Sequence, residues 1–426
     1  MRTLAFAAHF GSRQAWLWRH RQGFGDWTRS DRPRLLVDVS AIIRHDAQTG
    51  IQRVVRAVWS ELCRRDGEGF QLVPVYATQS QGYCYAPADF LDFPLFPGRP
   101  VPVRACAGDK FLGLDLSAHV LPKYRQQLRA WRRHGATVHL VVYDLLPLLR
   151  PAWFNNRAIA HFRNWFSVLA EDADQAICIS KQVSRDLRDR LRDHRGASTL
   201  SIVDMKMGGD IASSRPSEGI CQEVSQLLDR LRFRPAILMV GTIEPRKAYD
   251  TALMAFEHLW RDHGGEAPDL VIVGKPGWKT EALQQRLRTH PEHGKRLHWL
   301  DQVTDEGLCR LYESCRGLFM ASHGEGFGLP LVEAVMQRRH VLARDLPVFR
   351  EQNLPNVQYF EDDRPTALGE RLMDLMHLDP LSPNATLLLS TWRDSVDDLL
   401  TNLGIAQNGS TPSANTPAAN NLRTVR

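Results

Sequence analysis

Ser322-His-Gly-Glu-Gly-Phe-Gly-Leu-Pro-Leu-Val-Glu-Ala-Val335 is the stretch whose reading decides the fold. It follows a short apolar run, Gly317-Leu-Phe-Met-Ala321, which reads as a buried parallel strand. Gly324, Gly326 and Gly328 let the backbone turn sharply and come close to a ligand. Pro330 stands at the start of a predicted helix, where its missing N–H costs nothing. Free N–H groups and the positive end of the helix dipole then point into the glycine loop, which suits an anion. Two carboxylates frame the turn, Glu325 in the loop and Glu333 about one turn into the helix. Carboxylates accept hydrogen bonds, which polyhydroxyl ligands such as a sugar or ribose donate.

The spacing Glu325, seven residues, Glu333 resembles the paired-glutamate motif of retaining glycosyltransferases of family 4. That resemblance implies a GT-B fold, with Glu325 on the hydroxyls of a donor sugar and Glu333 on the ribose of its nucleotide. It also implies backbone contacts around Gly326, Phe327, Gly328 and Leu329. The alternative is an ordinary strand–loop–helix with two solvated glutamates.

Working outward, Ala236-Ile-Leu-Met-Val-Gly241 reads as another buried strand, followed by Thr242-Ile-Glu-Pro-Arg-Lys247 and a helix. By resemblance this loop holds the donor diphosphate, with Gly241 and Thr242 near it and Arg246 and Lys247 as its cations. A departing nucleoside diphosphate gains negative charge, and fixed cations stabilise it in the transition state. The guanidinium adds a fork that can take two oxygens. Leu270-Val-Ile-Val-Gly274 is the next strand, and Lys275 follows Gly274 at the expected nucleotide border.

In the first half, Arg34-Leu-Leu-Val-Asp-Val39 is a strand leading to Gly50 and to Arg53 on the following helix. The family has a glycine-bearing loop here facing the cleft, which Gly50 fits. Thr137-Val-His-Leu-Val-Val-Tyr143 is a further strand, and Asp144 stands at its carboxyl end, where sites in open α/β sheets gather. Asp144 reads either as a site residue or as a cap on the next segment. Family members carry a histidine where this chain has Tyr143. Tyr83 to Val103 shows no clear period and reads as a long loop.

Strands alternating with helices imply an α/β protein of two facing doubly wound, Rossmann-like domains with a cleft between them. The expected organisation is an N-terminal basic and aromatic extension (1–33), an acceptor-side domain (34–209), an interdomain linker region (210–235), a nucleotide-sugar domain (236–390), a helix packing back (391–405) and a disordered tail (406–426). The tail turns to Asn, Ser, Thr, Pro and Ala.

The 426 residues carry a net charge of +6 and an isoelectric point near 9.0. The basic residues are spread over many helices without an aromatic-interleaved stripe, so nucleic acid is not the expected partner. A sugar-nucleotide diphosphate and an anionic membrane surface account for the charge equally well. Trp16, Trp18, Arg19, Arg21, Trp27 and Arg29 in the extension would suit interfacial contact. No run approaches a membrane span, and Arg2, His9, Arg13 and Arg19 interrupt any secretory signal core. The seven scattered cysteines show no metal spacing and fit a reducing cytoplasm. The expected place is therefore cytoplasmic, with peripheral contact at the inner face of the plasma membrane.

The expected function is transfer of a hexose, with mannose from GDP-mannose the favoured donor, to a glycan or lipid-linked acceptor in polysaccharide biosynthesis. The second half is similar to bacterial enzymes that build mannose-containing surface polysaccharides. The expected catalytic set is Glu325, Arg246, Lys247 and Asp144. Donor-binding residues are Gly50, Gly241, Thr242, Gly274, Lys275, Gly326, Phe327, Gly328, Leu329 and Glu333. No metal or cofactor beyond the sugar nucleotide is expected, and no Asp-X-Asp metal motif is identified. Two rivals stay open: a sugar-nucleotide epimerase or phosphorylase on the same fold, and a non-catalytic scaffold.

Overall fold

The structure, a computed structural model, describes residues 32–46, 48–92, 100–192, 194, 199–378 and 389–405. The extension at 1–31 and the tail from 406 lie outside the described residues. Two sheets organise the rest. The first has seven strands in the order β3-β2-β1-β4-β5-β6-β7. They are Arg34–Asp38 (β1), Gln71–Tyr76 (β2), Cys84–Tyr85 (β3), Lys110–Gly113 (β4), Thr137–Val142 (β5), Gln175–Cys178 (β6) and Ser201–Asp204 (β7). Only β3 runs antiparallel.

The second sheet has six parallel strands in the order β10-β9-β8-β11-β12-β13. They are Ala236–Val240 (β8), Asp269–Val273 (β9), Leu297–Leu300 (β10), Gly317–Met320 (β11), His340–Arg344 (β12) and Val357–Phe360 (β13). Strands β8 and β11, and β9 after its first residue Asp269, are continuous apolar runs because helices cover both faces of a parallel sheet.

Each sheet reverses its strand order once, between β1 and β4 and between β8 and β11. Crevices at the carboxyl ends of such strands are where ligands bind in open α/β sheets. The reversal in the second sheet makes β8 and β11 neighbours, with Gly317 opposite Ile237 and Leu318 opposite Leu238. Two loops about eighty residues apart in the chain, after β8 and after β11, therefore emerge side by side.

The structure departs from the sequence reading at three places. Strand β3 falls inside the stretch read as a loop: it is two residues long and pairs with the edge of β2. Prolines around so short an edge strand hide its period. Residues 210–235, read as linker, contain the helix Gln222–Leu231, whose Val224, Leu227 and Leu231 are buried in the second domain's core. An Asp-X-Asp triple does occur, Asp172-Ala-Asp174. Its carboxylates are tied to Arg125, Arg129 and Arg132 in ion pairs on the first domain.

The last described helix, Trp392–Asn402, crosses back to the first domain. Trp392, Val396, Leu399 and Leu400 join the first domain's apolar core. Ser395 Oγ accepts the Gly208 N–H at 2.8 Å, and the Trp392 indole donates to the Asp210 carbonyl at 3.1 Å.

Candidate active site

The loop after β8 is built to aim two cations. Pro245–Lys247 forms a single 3₁₀ turn, and Ala248 beyond it adopts a left-handed backbone with φ of 52° before the helix Tyr249–Asp262. A buried non-glycine residue held in that region stores strain of order 1–2 kcal/mol, kept in place by its surroundings. The aliphatic stem of Lys247 lies against Gly241, where an added Cβ would stand 3.1 Å from Lys247 Cε. Gly274 backs Gly241 so closely that a Cβ there would fall 1.8 Å from the Gly241 carbonyl oxygen.

Glu325, in the loop after β11, receives both cations. Lys247 Nζ donates to Glu325 Oε1 at 2.5 Å and Arg246 to Glu325 Oε2 at 2.5 Å. Ser322 Oγ adds a bond to Oε1 at 2.8 Å. Arg246 also pairs with Glu244 at 2.7 Å and donates to the Gly324 carbonyl at 3.0 Å. The backbone joins the two loops as well, with the His323 N–H on the Arg246 carbonyl at 2.7 Å. Ser322 and Glu244 carry no motif of their own in the sequence. Each is held by its own loop, Glu244 on Arg246 and Ser322 on Glu325, and the neighbouring of β8 and β11 brings the two loops together.

Burial alone would raise the Glu325 carboxyl, but Arg246 and Lys247 outweigh it and hold the group down to about 2. Arg246 is in turn held charged: burial works against the cation, and Glu325, Glu244 and Asp144 prevail. A carboxyl whose folded value lies below its ordinary 4.5 contributes stability above pH 4.5 and loses it as pH falls towards 2. Between pH 5 and pH 3, wild-type stability in urea unfolding is expected to fall by ~2 kcal/mol more than that of Glu325→Gln. Equal falls in the two proteins would mean that the pairs do not hold Glu325 ionised.

Above this network lies a cavity of about 710 Å³ between the domains. Gly50, Arg53, Asp144, Gly241, Thr242 and Lys275 are among its walls, with Gly274, Arg246, Lys247, Glu325 and the Gly326–Leu329 backbone. Asp144 Oδ1 accepts the Leu146 N–H at 3.0 Å, so it does cap the next segment, and it also feels Arg246 across the cleft. Burial pushes its carboxyl up, with Arg246 opposing. Tyr143 is buried, and its hydroxyl donates to the Leu114 carbonyl at 2.7 Å, inside the first domain.

Gly326 lies against the backbone of the first domain. A Cβ there would lie 1.9 Å from the Tyr143 carbonyl oxygen, so no larger residue fits the arrangement. Ser180 Oγ, the cap of the helix Lys181–Leu191, donates to the Gly326 carbonyl at 2.7 Å. Gly328 starts the helix Leu329–Met336 with φ of 89°, a conformation glycine takes readily.

Glu333 is placed differently from the other predicted residues. It is 1% exposed and is not part of the cavity wall. Arg53 of the first domain is bonded to one of its oxygens, and Tyr312 donates to the other at 2.9 Å. Thus Arg246, Lys247 and Glu325 meet directly, while Glu333 lies behind Arg53.

The two facing switch-point sheets with the cavity between them define a GT-B fold. Residues 232–386 match the family described as glycosyl transferases group 1. The chain is 38% identical over 396 residues to the Escherichia coli serotype-specific mannosyltransferase WbdA, covering 90% of this chain and 48% of that protein. It is 36% identical over 142 residues to the Escherichia coli O-antigen chain mannosyltransferase B, covering 33% of this chain and 35% of that protein. The chain spans about half the length of the WbdA relatives it matches. Among solved structures, HepE of Anabaena, in complex with UDP and glucose, matches with a TM-score of 0.54 at 14% identity. That match covers 81% of this chain and 90% of HepE, and it supports the fold. The chain therefore carries a group 1 glycosyl transferase domain.

Proposed function

We propose that the chain transfers a hexose from a nucleotide-diphosphate sugar to a glycan or lipid-linked acceptor of a surface polysaccharide, with retention. The observation that carries this is the convergence of Arg246 and Lys247 on Glu325 at the wall of an interdomain cavity. Its volume lies within the range that small-molecule and cofactor sites occupy. Mannose from GDP-mannose is the first donor to test, because the relatives named above are mannosyltransferases.

In this reading the donor diphosphate lies against Arg246 and Lys247, near the amino end of the helix Leu329–Met336. As the glycosidic bond breaks, the leaving diphosphate gains charge and those buried cations stabilise it. Glu325 keeps both cations aligned and accepts hydroxyls of the sugar. The leaving phosphate takes the proton of the acceptor hydroxyl on the same face, which gives retention. The sugar nucleotide is the only co-substrate this scheme calls for. Among the described residues no helix is long and apolar enough to cross a membrane. Peripheral contact through residues 1–33 belongs to the same proposal and falls almost wholly outside the described residues.

Incubation with a panel of GDP- and UDP-sugars and a mannose-terminated acceptor tests the activity. Transfer from GDP-mannose with an α-linked product is expected; absence of transfer and hydrolysis from every donor would overturn the proposal. Lys247→Ala is expected to weaken nucleoside diphosphate binding by ~1.5 to 3 kcal/mol, about ten- to a hundredfold in Kd. An unchanged calorimetric affinity would remove Lys247 from the diphosphate site.

A further inference from the structure

Arg53 sits on the helix Gly50–Arg64 of the first domain, whose start is fixed by a capping box between Thr49 and Gln52. Its side chain nevertheless serves the second domain. One terminal nitrogen donates to Asp305 Oδ1 at 2.7 Å, and the other is bonded to Glu333 Oε1. Asp305 is further held by the Ser217 N–H at 2.9 Å and the Ser217 hydroxyl at 3.1 Å. Arg53 lines the cavity, and Glu333 does not. The guanidinium therefore stands between the cavity and the carboxylate. Its Nε is buried with no hydrogen-bond partner, so the clasp leaves one donor unused.

We propose that Arg53 is a positioning residue that gates Glu333: the bridge across the domains and the ribose of the donor are alternative partners for the same carboxylate. The proposal rests on reading the cavity as the sugar-nucleotide site. With Arg53 in place and Tyr312 on the other oxygen, ribose hydroxyls have no open approach to Glu333. When the ribose arrives, Arg53 releases Glu333 and keeps Asp305, which has its own partners in Ser217. Because Arg53 and Glu333 belong to different domains, the exchange ties donor binding to the relative placement of the domains. A ligand shifts such an equilibrium only by its preference for one state, and here that preference comes from the ribose hydroxyls.

The test is calorimetric titration of the full chain with GDP and UDP, each beside its 2′,3′-dideoxy analogue. In the wild type the hydroxyls must displace Arg53, so the ribose form is expected to bind only slightly better than the dideoxy form. In Arg53→Ala the Glu333 carboxylate loses its cation and welcomes the hydroxyls. The ribose advantage is expected to rise about tenfold, with dideoxy binding little changed. Arg53→Lys keeps a charge for Asp305, but one ammonium cannot span both carboxylates, so it moves the same way by less. Should Arg53→Ala fail to fold, Arg53→Lys carries the test. A ribose advantage that is unchanged or smaller in the variants would overturn the gate and leave a purely structural clasp. Failure of the folded wild type to bind any of the four nucleotides would overturn the donor-site reading, and the gate with it.

Discussion

Glu325→Ala is expected to lower kcat about a thousandfold, the scale of losing a preorganised electrostatic contact in a transition state. The carboxylate is 7% exposed and bonds Lys247, Arg246 and Ser322 at once. Without it, Lys247 loses its carboxylate partner and Arg246 keeps only Glu244, so the two neighbouring cations repel and lose the alignment that the transition state requires. The cations themselves remain beside the cavity, Arg246 still paired with Glu244 and Lys247 released. Ground-state affinity for a nucleoside diphosphate is therefore expected to stay within a few-fold of wild type. A fall in kcat with the ground state preserved marks an interaction made chiefly in the transition state. Steady-state kinetics with GDP-mannose beside titration with GDP would separate the two. Near-normal turnover in a correctly folded variant would end the role given to Glu325.

Gly326→Ala is expected to lower kcat/KM about a hundredfold by moving the domains apart, since misplacement by about 1 Å can cost that much. The new methyl would meet the Tyr143 carbonyl oxygen at 1.9 Å, and that oxygen is backbone, which cannot swing aside. The same peptide accepts the Ser180 hydroxyl, so the helix Lys181–Leu191 is pulled from its seat too. Gly324→Ala serves as the comparison. Its methyl would meet the Trp153 ring at 2.9 Å, a side chain that can shift, so a milder loss is expected. Kinetics together with small-angle scattering would read both effects. A Gly326→Ala protein with wild-type kinetics and dimensions would show that the close approach of Tyr143 and Gly326 is not needed.

Much of the second domain is legible from the chain alone. Strands buried on both faces are continuous apolar runs, as at Ala236–Val240 and Gly317–Met320, and each ends at a glycine or small polar residue. Pro330 at the helix start is a local signal that the structure reproduces, and Thr304 and Ser180 cap their helices by equally short-range hydrogen bonds. Local signals fail where an element is short or amphipathic on a polar background. Cys84–Tyr85 is too short for a period to show. Gln222–Leu231 has only a narrow apolar stripe within a polar, glycine-flanked segment, and becomes recognisable through what it packs against.

The site divides in the same way. Arg246, Lys247 and Glu325 stand in strand–loop–helix turns whose chemistry reads directly, and the loops that hold them are adjacent because β8 and β11 are. Tyr143 departs from the resemblance, and in the structure its backbone carbonyl packs against Gly326 while its hydroxyl turns inward. Asp144 caps Leu146 and faces Arg246 across the cleft.

By itself the sequence determined the alternation of strand and helix, the glycine loops, and which side chains bear charge at the strand ends. These follow from burial, backbone freedom and hydrogen bonding within a few residues of each position. Tertiary structure alone decided that Arg53 reaches Glu333 across 280 positions of chain, and that Arg246 and Lys247 meet Glu325 across almost eighty. Those contacts depend on strand order and on the seating of one domain against the other, and no local pattern along the chain encodes either.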